Sequence, residues 1–179
     1  MLLLASQAPC AHEVQPSRFV VVQEPEKREQ LSRAADHADG ISGAPVLIVA
    51  FADTACVRRM DQTARGGLER SGGVGEPVIS GVPAAVWLNR HVMTAFTYLI
   101  LAASSLGWDA TPIEEFDANA VRAIVGLPAD AEVVALLAIG RHFEPDEPDA
   151  GRLPLDRMVF AEHFGAPSAF RTESESLIR

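Results

Sequence analysis

Leu99-Ile100-Leu101-Ala102-Ala103-Ser104-Ser105-Leu106-Gly107-Trp108-Asp109-Ala110-Thr111-Pro112-Ile113-Glu114-Glu115-Phe116 is the stretch whose reading decides the fold. An almost wholly apolar helix runs into Leu106-Gly107-Trp108 and on to a proline-isoleucine pair followed by two acids. Upstream, Pro83 to Leu106 reads as helical throughout. From Val92 onward it is apolar on nearly every side, which predicts burial rather than a single wet face. Glu114 and Glu115 follow Pro112-Ile113 on what reads as a turn between two helices, where backbone amides can meet a ligand.

Working outward, Asp117 is placed to accept from the next amides as an N-cap; Ala118 to Val125 propagates the helix, and Gly126 with Pro128 stops it. Glu132 to Ile139 and Pro45 to Phe51 are apolar runs too short for typical helices and read as strands, the second of them buried and central. Arg18 to Val22 is a third strand candidate, directly after Pro16-Ser17. Pro25 suits a first helical turn, and Glu26 to Ala35 carries Leu31 and Ala34 on one face of an amphipathic helix. Asp53 to Gly81 is polar and glycine-rich, so residues 53–82 are expected to form a flexible loop or cap with one short helix at most. Phe143 to Gly151, rich in proline and acids, reads as an exposed loop; Val159 to Phe164 reads as a short helical turn, and the end of the chain, residues 165–179, as an arm. Strands and helices do not alternate cleanly and no repeat is present, which gives an α+β sheet layered with helices.

At 179 residues and 48% hydrophobic, the chain fits one domain over residues 1–179. Fifteen basic against 24 acidic residues give a net charge of -9, which repels a polyanion and argues against a nucleic-acid partner. Cys10 and Cys56 have no zinc-ligand or disulfide spacing, so both read as thiols of a cytosolic protein. Leu2-Leu3-Leu4 lacks the basic flank and length of a signal sequence and reads as the tail of a helix. The longest apolar run, Val92 to Ala103, falls short of the roughly 20 residues a bilayer span needs, so no membrane partner is expected.

Motifs for other chemistries are weak. The glycines at 66, 67, 72, 73 and 75 could cradle a phosphate, but no Lys-Ser/Thr follows and no strand leads directly in, so a plain loop is the better reading. His12, His37, His91, His142 and His163 form no i, i+4 pair, and no Gly-x-Ser-x-Gly elbow is present. Asp61, Glu69, Glu114, Glu115 and Asp117 could supply an acid/base pair, although such acids are more often solvated or capping groups.

Three stretches carry a resemblance. Leu106-Gly107-Trp108 with Pro112-Ile113-Glu114-Glu115-Phe116-Asp117 is similar to the Leu-Gly-Leu and Pro-Ile-Glu-Gly-Phe segments of the nitroreductase family, with Glu115 in place of the glycine. Pro9-Cys10-Ala11-His12-Glu13-Val14-Gln15-Pro16-Ser17 resembles that family's Pro-Ser-x-x-Asn-x-Gln-Pro-Trp, with Cys10, Glu13 and Ser17 replacing Ser, Asn and Trp. Gly151-Arg152-Leu153-Pro154 is similar to its Arg-x-Pro segment, and His91 falls where a polar side chain often faces the cofactor. The resemblance covers roughly residues 2 to 160.

What it implies is a nitroreductase-like α+β fold, a mixed or antiparallel sheet flanked by helices around a long buried core helix, in an intertwined homodimer. FMN would sit at the subunit interface. Pro112, Ile113 and the backbone amides of Glu114 and Glu115 would lie by the flavin ring, where fixed N–H donors favour the charge of the reduced state. Cys10, Ala11 and Glu13 would approach the cofactor from the neighbouring subunit, with the Glu13 carboxylate opposing a phosphate. Arg152 would grip that phosphate with its planar fork, or else be a surface arginine beside an acidic loop. His91 would face the cofactor, or else be a buried or capping histidine. The donor would be NAD(P)H and the acceptor a nitroaromatic, a quinone or a similar small electrophile, with the chemistry borne by the flavin rather than by a catalytic side chain. The family's arginine-rich phosphate motif would be expected ahead of Met1, and the alternative reading is a shortened, non-catalytic paralogue that keeps the fold and dimerises.

Overall fold

The computed structural model describes residues 1–11, 14–35, 43–57, 68–69, 78–79, 81–141 and 151–167. They fall into two compact units, Met1–His142 and Phe143–Arg179. The first unit runs α1 (Leu2–Ala5), β1 (Ser17–Val22), α2 (Pro25–Arg33), β2 (Val46–Ala52), β3 (Leu68–Glu69), β4 (Val78–Ile79), β5 (Val82–Pro83), α3 (Ala84–Ser105), β6 (Asp109–Ile113), α4 (Ala118–Val125) and β7 (Glu132–Gly140). Four strands make the main sheet in the order β1-β2-β7-β6, every neighbouring pair antiparallel.

The two central strands are the two continuous apolar runs, and their period-2 alternation feeds two cores. Ile48, Ala50 and Ala52 of β2 join Ala135, Leu137 and Ile139 of β7 in a cluster completed by Trp87, Leu88, Val92, Phe96 and Leu99 of α3. Leu47 and Val49 join Leu136 and Ala138 on the other side, against Leu31 of α2 and Val121 of α4. A sheet buried on both faces needs apolar residues at every position, which is why these strands read as runs rather than alternations. The pairing shifts between Ala50 and Phe51, where Ala50 faces Ala135 and Phe51 faces Val133, a β-bulge at Val134.

The expected elements around this sheet are present within a residue or two: β1, α2 with Pro25 in its first turn, and the long helix α3. Asp117 caps α4 by accepting from the Asn119 and Ala120 amides at 2.9 and 3.1 Å, and Gly126 ends it in the left-handed region at φ 69°. Among the described residues no helix is long and apolar enough to cross a membrane.

Four expectations are corrected. Asp109 to Ile113 is a strand, so Glu114 and Glu115 lie between an edge strand and α4, not between two helices. Gly107, at φ 76°, reverses the chain after α3 and lays it antiparallel to β7, and Pro112, which cannot donate to a ladder, is tolerated because β6 is an edge. Within residues 53–82, the described parts hold a second, three-stranded sheet in the order β3-β4-β5. Its strands are two residues each, and Gly81, at φ 77°, makes the reversal between β4 and β5. Helix α3 is not buried all round within one chain, since Val86, Tyr98 and Leu101 are exposed along one stripe.

In the second unit the helical turn is at Leu155–Arg157, and Val159 to Phe164 is not helical. Phe160 bridges to Pro167 instead, with Gly165 at φ 86° turning the chain and the Phe160 and Phe164 rings 4.7 Å apart. His12, Glu13, His37, Asp61, the glycines from 66 to 75, His142, residues 143–150 and the segment 169–179 lie outside the described residues.

Candidate functional site

The segment Pro112 to Glu115 is positioned by strand register. Ile113 pairs with Leu136 and is buried, while Pro112, Glu114 and Glu115 are exposed. Just beyond, Phe116 bridges to Ala35, and the Asp117 amide donates to the Ala34 carbonyl at 2.8 Å. The two acids therefore sit on a short exposed span, with the β7 ladder before it and the end of α2 after it.

The N-terminal segment is positioned differently. Cys10 is half-buried against the core beneath α3, its thiol 3.5 Å from the Ala11 carbonyl, and Ala11 is exposed. The chain then reaches Gln15, in the left-handed region at φ 47°, and the fully buried Pro16. Arg18 donates through Nη1 to the Gln15 and Ser17 carbonyls at 2.7 and 2.9 Å, and through Nη2 to Asp53 Oδ2 at 2.9 Å. The Asp53 amide donates to the Pro16 carbonyl at 2.9 Å, and the Asp53 carboxylate also accepts from the Ala55 amide at 3.1 Å.

His91 lies two turns inside α3, which begins at Ala84, so it is not a helix cap. Its ring meets the Trp87 ring edge-on, 4.1 Å between centroids at 62°, and it is half-buried. Its backbone carbonyl accepts from the Ser17 hydroxyl at 3.3 Å, which joins α3 to the corner after Pro16.

The structure thus brings His91 together with the exit of the Cys10–Gln15 segment, but not with Pro112–Glu115. Strands β1 and β6 are opposite edges of the sheet, three strand spacings or about 14 Å apart. The two groups do point toward the same end of the strands, since Ser17 pairs with Ala52, Ala52 with Glu132, and Ile113 with Leu136 on that same β7. Arg152, in the second unit, is exposed.

Arg18 and Asp53 were not singled out in the sequence as site residues. The signal is an arginine beside the buried proline and an acid just past a strand, and it becomes legible only once the Ser17–Ala52 register places them side by side.

Comparison with known proteins gives consistent matches. The profile described as Nitroreductase family matches residues 1–141. The NADH dehydrogenase of Thermus thermophilus is 32% identical over 168 residues, covering 89% of this chain and 82% of its own. A nitroreductase family protein from Streptococcus pneumoniae has a TM-score of 0.70 at 25% identity, covering 89% of this chain and 86% of that one. A protein of Exiguobacterium sibiricum solved in complex with FMN has a TM-score of 0.70 at 20% identity, covering 90% and 83%.

Proposed function

The chain belongs to the nitroreductase family and is an NAD(P)H-dependent oxidoreductase, and on that premise we propose that it works through FMN, as a cytosolic homodimer, on a nitroaromatic, a quinone or a similar small electrophile. The observation that carries this reading is the short span at the end of edge strand β6, where Pro112, Glu114 and Glu115 are exposed around the buried Ile113. The FMN-bound Exiguobacterium structure shares the fold that sets up this span.

The residues present fit such a cofactor. Pro112 and the backbone of Glu114 and Glu115 offer an exposed proline ring and polar backbone atoms, and Arg152, exposed in its own unit, would supply a cation for a phosphate by its likeness to the family's Arg-x-Pro segment. The half-buried Cys10 and His91 and the exposed Ala11 offer small or planar contacts on the other stretch. When bound, FMN accepts hydride from NAD(P)H and passes reducing equivalents on to the acceptor. The chain's own contribution is to hold the ring, place donor and acceptor in turn on one face, and aim fixed backbone dipoles at the side where negative charge grows. No side-chain acid is required for that, which suits the solvent-exposed setting of Glu114 and Glu115.

Two features favour the dimer: the exposed stripe of α3, with Val86, Tyr98 and Leu101, and the exposed leucines Leu3 and Leu4 of the neighbouring α1. The sheet places the two candidate stretches at opposite edges, so a second copy is a natural source of the missing half of each site.

The test is the visible absorption spectrum of the purified chain after FMN is added and the excess removed. Flavin bands that stay with the protein are expected, together with FMN-dependent oxidation of NADH or NADPH. A protein that remains colourless overturns the reading and favours a fold-retaining, non-catalytic role. Arg152→Ala is expected to weaken FMN binding by about 1–3 kcal/mol, the worth of a charge-assisted contact; unchanged affinity in a flavin titration removes Arg152 from the site.

A further inference from the structure

The span that follows β6 carries charge of one sign. Glu114, Glu115 and Asp117 come directly after Ile113, and all three are exposed. Glu114 forms no ion pair among the described residues. Asp117 accepts from the Asn119 and Ala120 amides, which orients its carboxylate and leaves its charge in place.

The backbone adds to the same potential. The Asp117 amide donates to the carbonyl of Ala34, the residue that closes the C-terminal end of α2, so the negative end of that helix dipole abuts the span. The arginines of the two flanking helices are engaged elsewhere. Arg33 pairs with Glu29 at 2.9 Å, and Arg122 donates to the Ala131 carbonyl at 3.1 Å and to Asn119 Oδ1 at 2.7 Å. Exposed charges of this kind contribute little to stability, yet they select what approaches by its sign. Two unit charges about 4 Å apart in water change an affinity by roughly fivefold.

We propose that the Glu114 carboxylate, in the negative field of Asp117 and the α2 terminus, is a specificity determinant for the electron acceptor: it selects uncharged aromatic electrophiles and discriminates against those bearing a carboxylate, sulfonate or phosphate near the reacting group. The proposal rests on the reading that the reaction takes place beside this span. It concerns the Glu114 side chain alone, whereas the fit to the cofactor was argued from backbone atoms and the Pro112 ring. Glutamine keeps the size of the side chain and removes its charge; lysine reverses the charge.

The test compares the FMN-loaded wild-type chain with Glu114→Gln and Glu114→Lys. One readout is kcat/KM for 4-nitrobenzoate divided by that for 4-nitrobenzamide, two acceptors of one shape that differ by a charge. The other needs no turnover: the dissociation constants of benzoate and benzamide, titrated through the flavin absorbance. In both, the anion-to-neutral ratio of affinities or rates should rise about threefold in Glu114→Gln and on the order of tenfold in Glu114→Lys. Raising the salt from about 0.02 M to 0.5 M should lift the wild-type ratio and bring the three proteins together, since the Debye length shrinks to a few ångströms.

Ratios that stay the same in both variants overturn the proposal and leave the flavin reading standing. Anionic and neutral ligands that weaken or tighten together show a merely structural effect of the substitution and also overturn it, as does a wild-type ratio that ignores salt. A wild-type chain that takes up no FMN removes the flavin reading, and the proposal with it.

Discussion

The two long faces of α3 both carry large apolar residues, the outer one with Arg90, Thr94 and Thr97 among them, and have opposite environments. Along one, Val92, Phe96 and Leu99 are wholly buried against the sheet. Along the other, Val86, Tyr98 and Leu101 are exposed, Leu101 at 63%. On the outer face, Thr94 and Thr97 turn their hydroxyls back onto the Arg90 and Met93 carbonyls at 2.9 and 2.8 Å. An apolar face that its own chain does not cover is the kind of surface a second copy covers. The contrast separates what α3 does for the fold from what it would do for assembly.

The sharpest way to break that contrast is Phe96→Ala. Its side chain lies at the centre of the core that α3 shares with β2 and β7. Truncation removes a buried ring and leaves a cavity, which should lower unfolding free energy by about 3–5 kcal/mol. A urea titration would read it, and a loss under about 1 kcal/mol would mean that the inner face is not packed as described.

Next is Leu101→Glu on the outer stripe. The protomer should change by no more than about 0.5 kcal/mol, as surface substitutions do. Self-association should weaken at least tenfold, about 1.4 kcal/mol or more, because a carboxylate would have to be desolvated in the contact. Sedimentation at graded concentrations separates the two effects. A dimer indifferent to Leu101→Glu would place the subunit contact elsewhere.

The same contrast shows where sequence reading stops. The continuous apolar runs of β2 and β7, the length of α3 and the Asp117 cap were legible because each is a local pattern with a local cause. The exposed stripe of α3 was not, since periodicity reports that a residue is apolar and not what covers it. Strand β6 was hidden for a related reason. Asp109-Ala110-Thr111-Pro112-Ile113 has little intrinsic strand preference, and its extended form comes from pairing with β7.

In the candidate site, the Pro112–Glu115 segment could be singled out by motif, but its setting past an edge strand could not. The Arg18–Asp53 pair was invisible, because the two residues are 35 apart in the chain and meet only through the β1–β2 register. Short two-residue strands such as β4 and β5 leave no periodic trace at all.

The smallest effect tests whether the outer stripe is constrained by the helix or by something laid upon it. Thr97 is exposed and spends its hydroxyl on the Met93 carbonyl in its own helix. Replacing it with alanine removes a β-branched residue from a helix interior, so Thr97→Ala should stabilise the isolated protomer by a few tenths of a kcal/mol, roughly 0.3–0.6. If the stripe meets only water, that gain appears unchanged at every protein concentration. If a second copy packs there, the lost methyl contacts offset the gain once the dimer forms, and melting temperatures of variant and wild type converge as concentration rises. Parallel shifts at all concentrations would return the stripe to solvent and leave the buried face as the only one with a structural task.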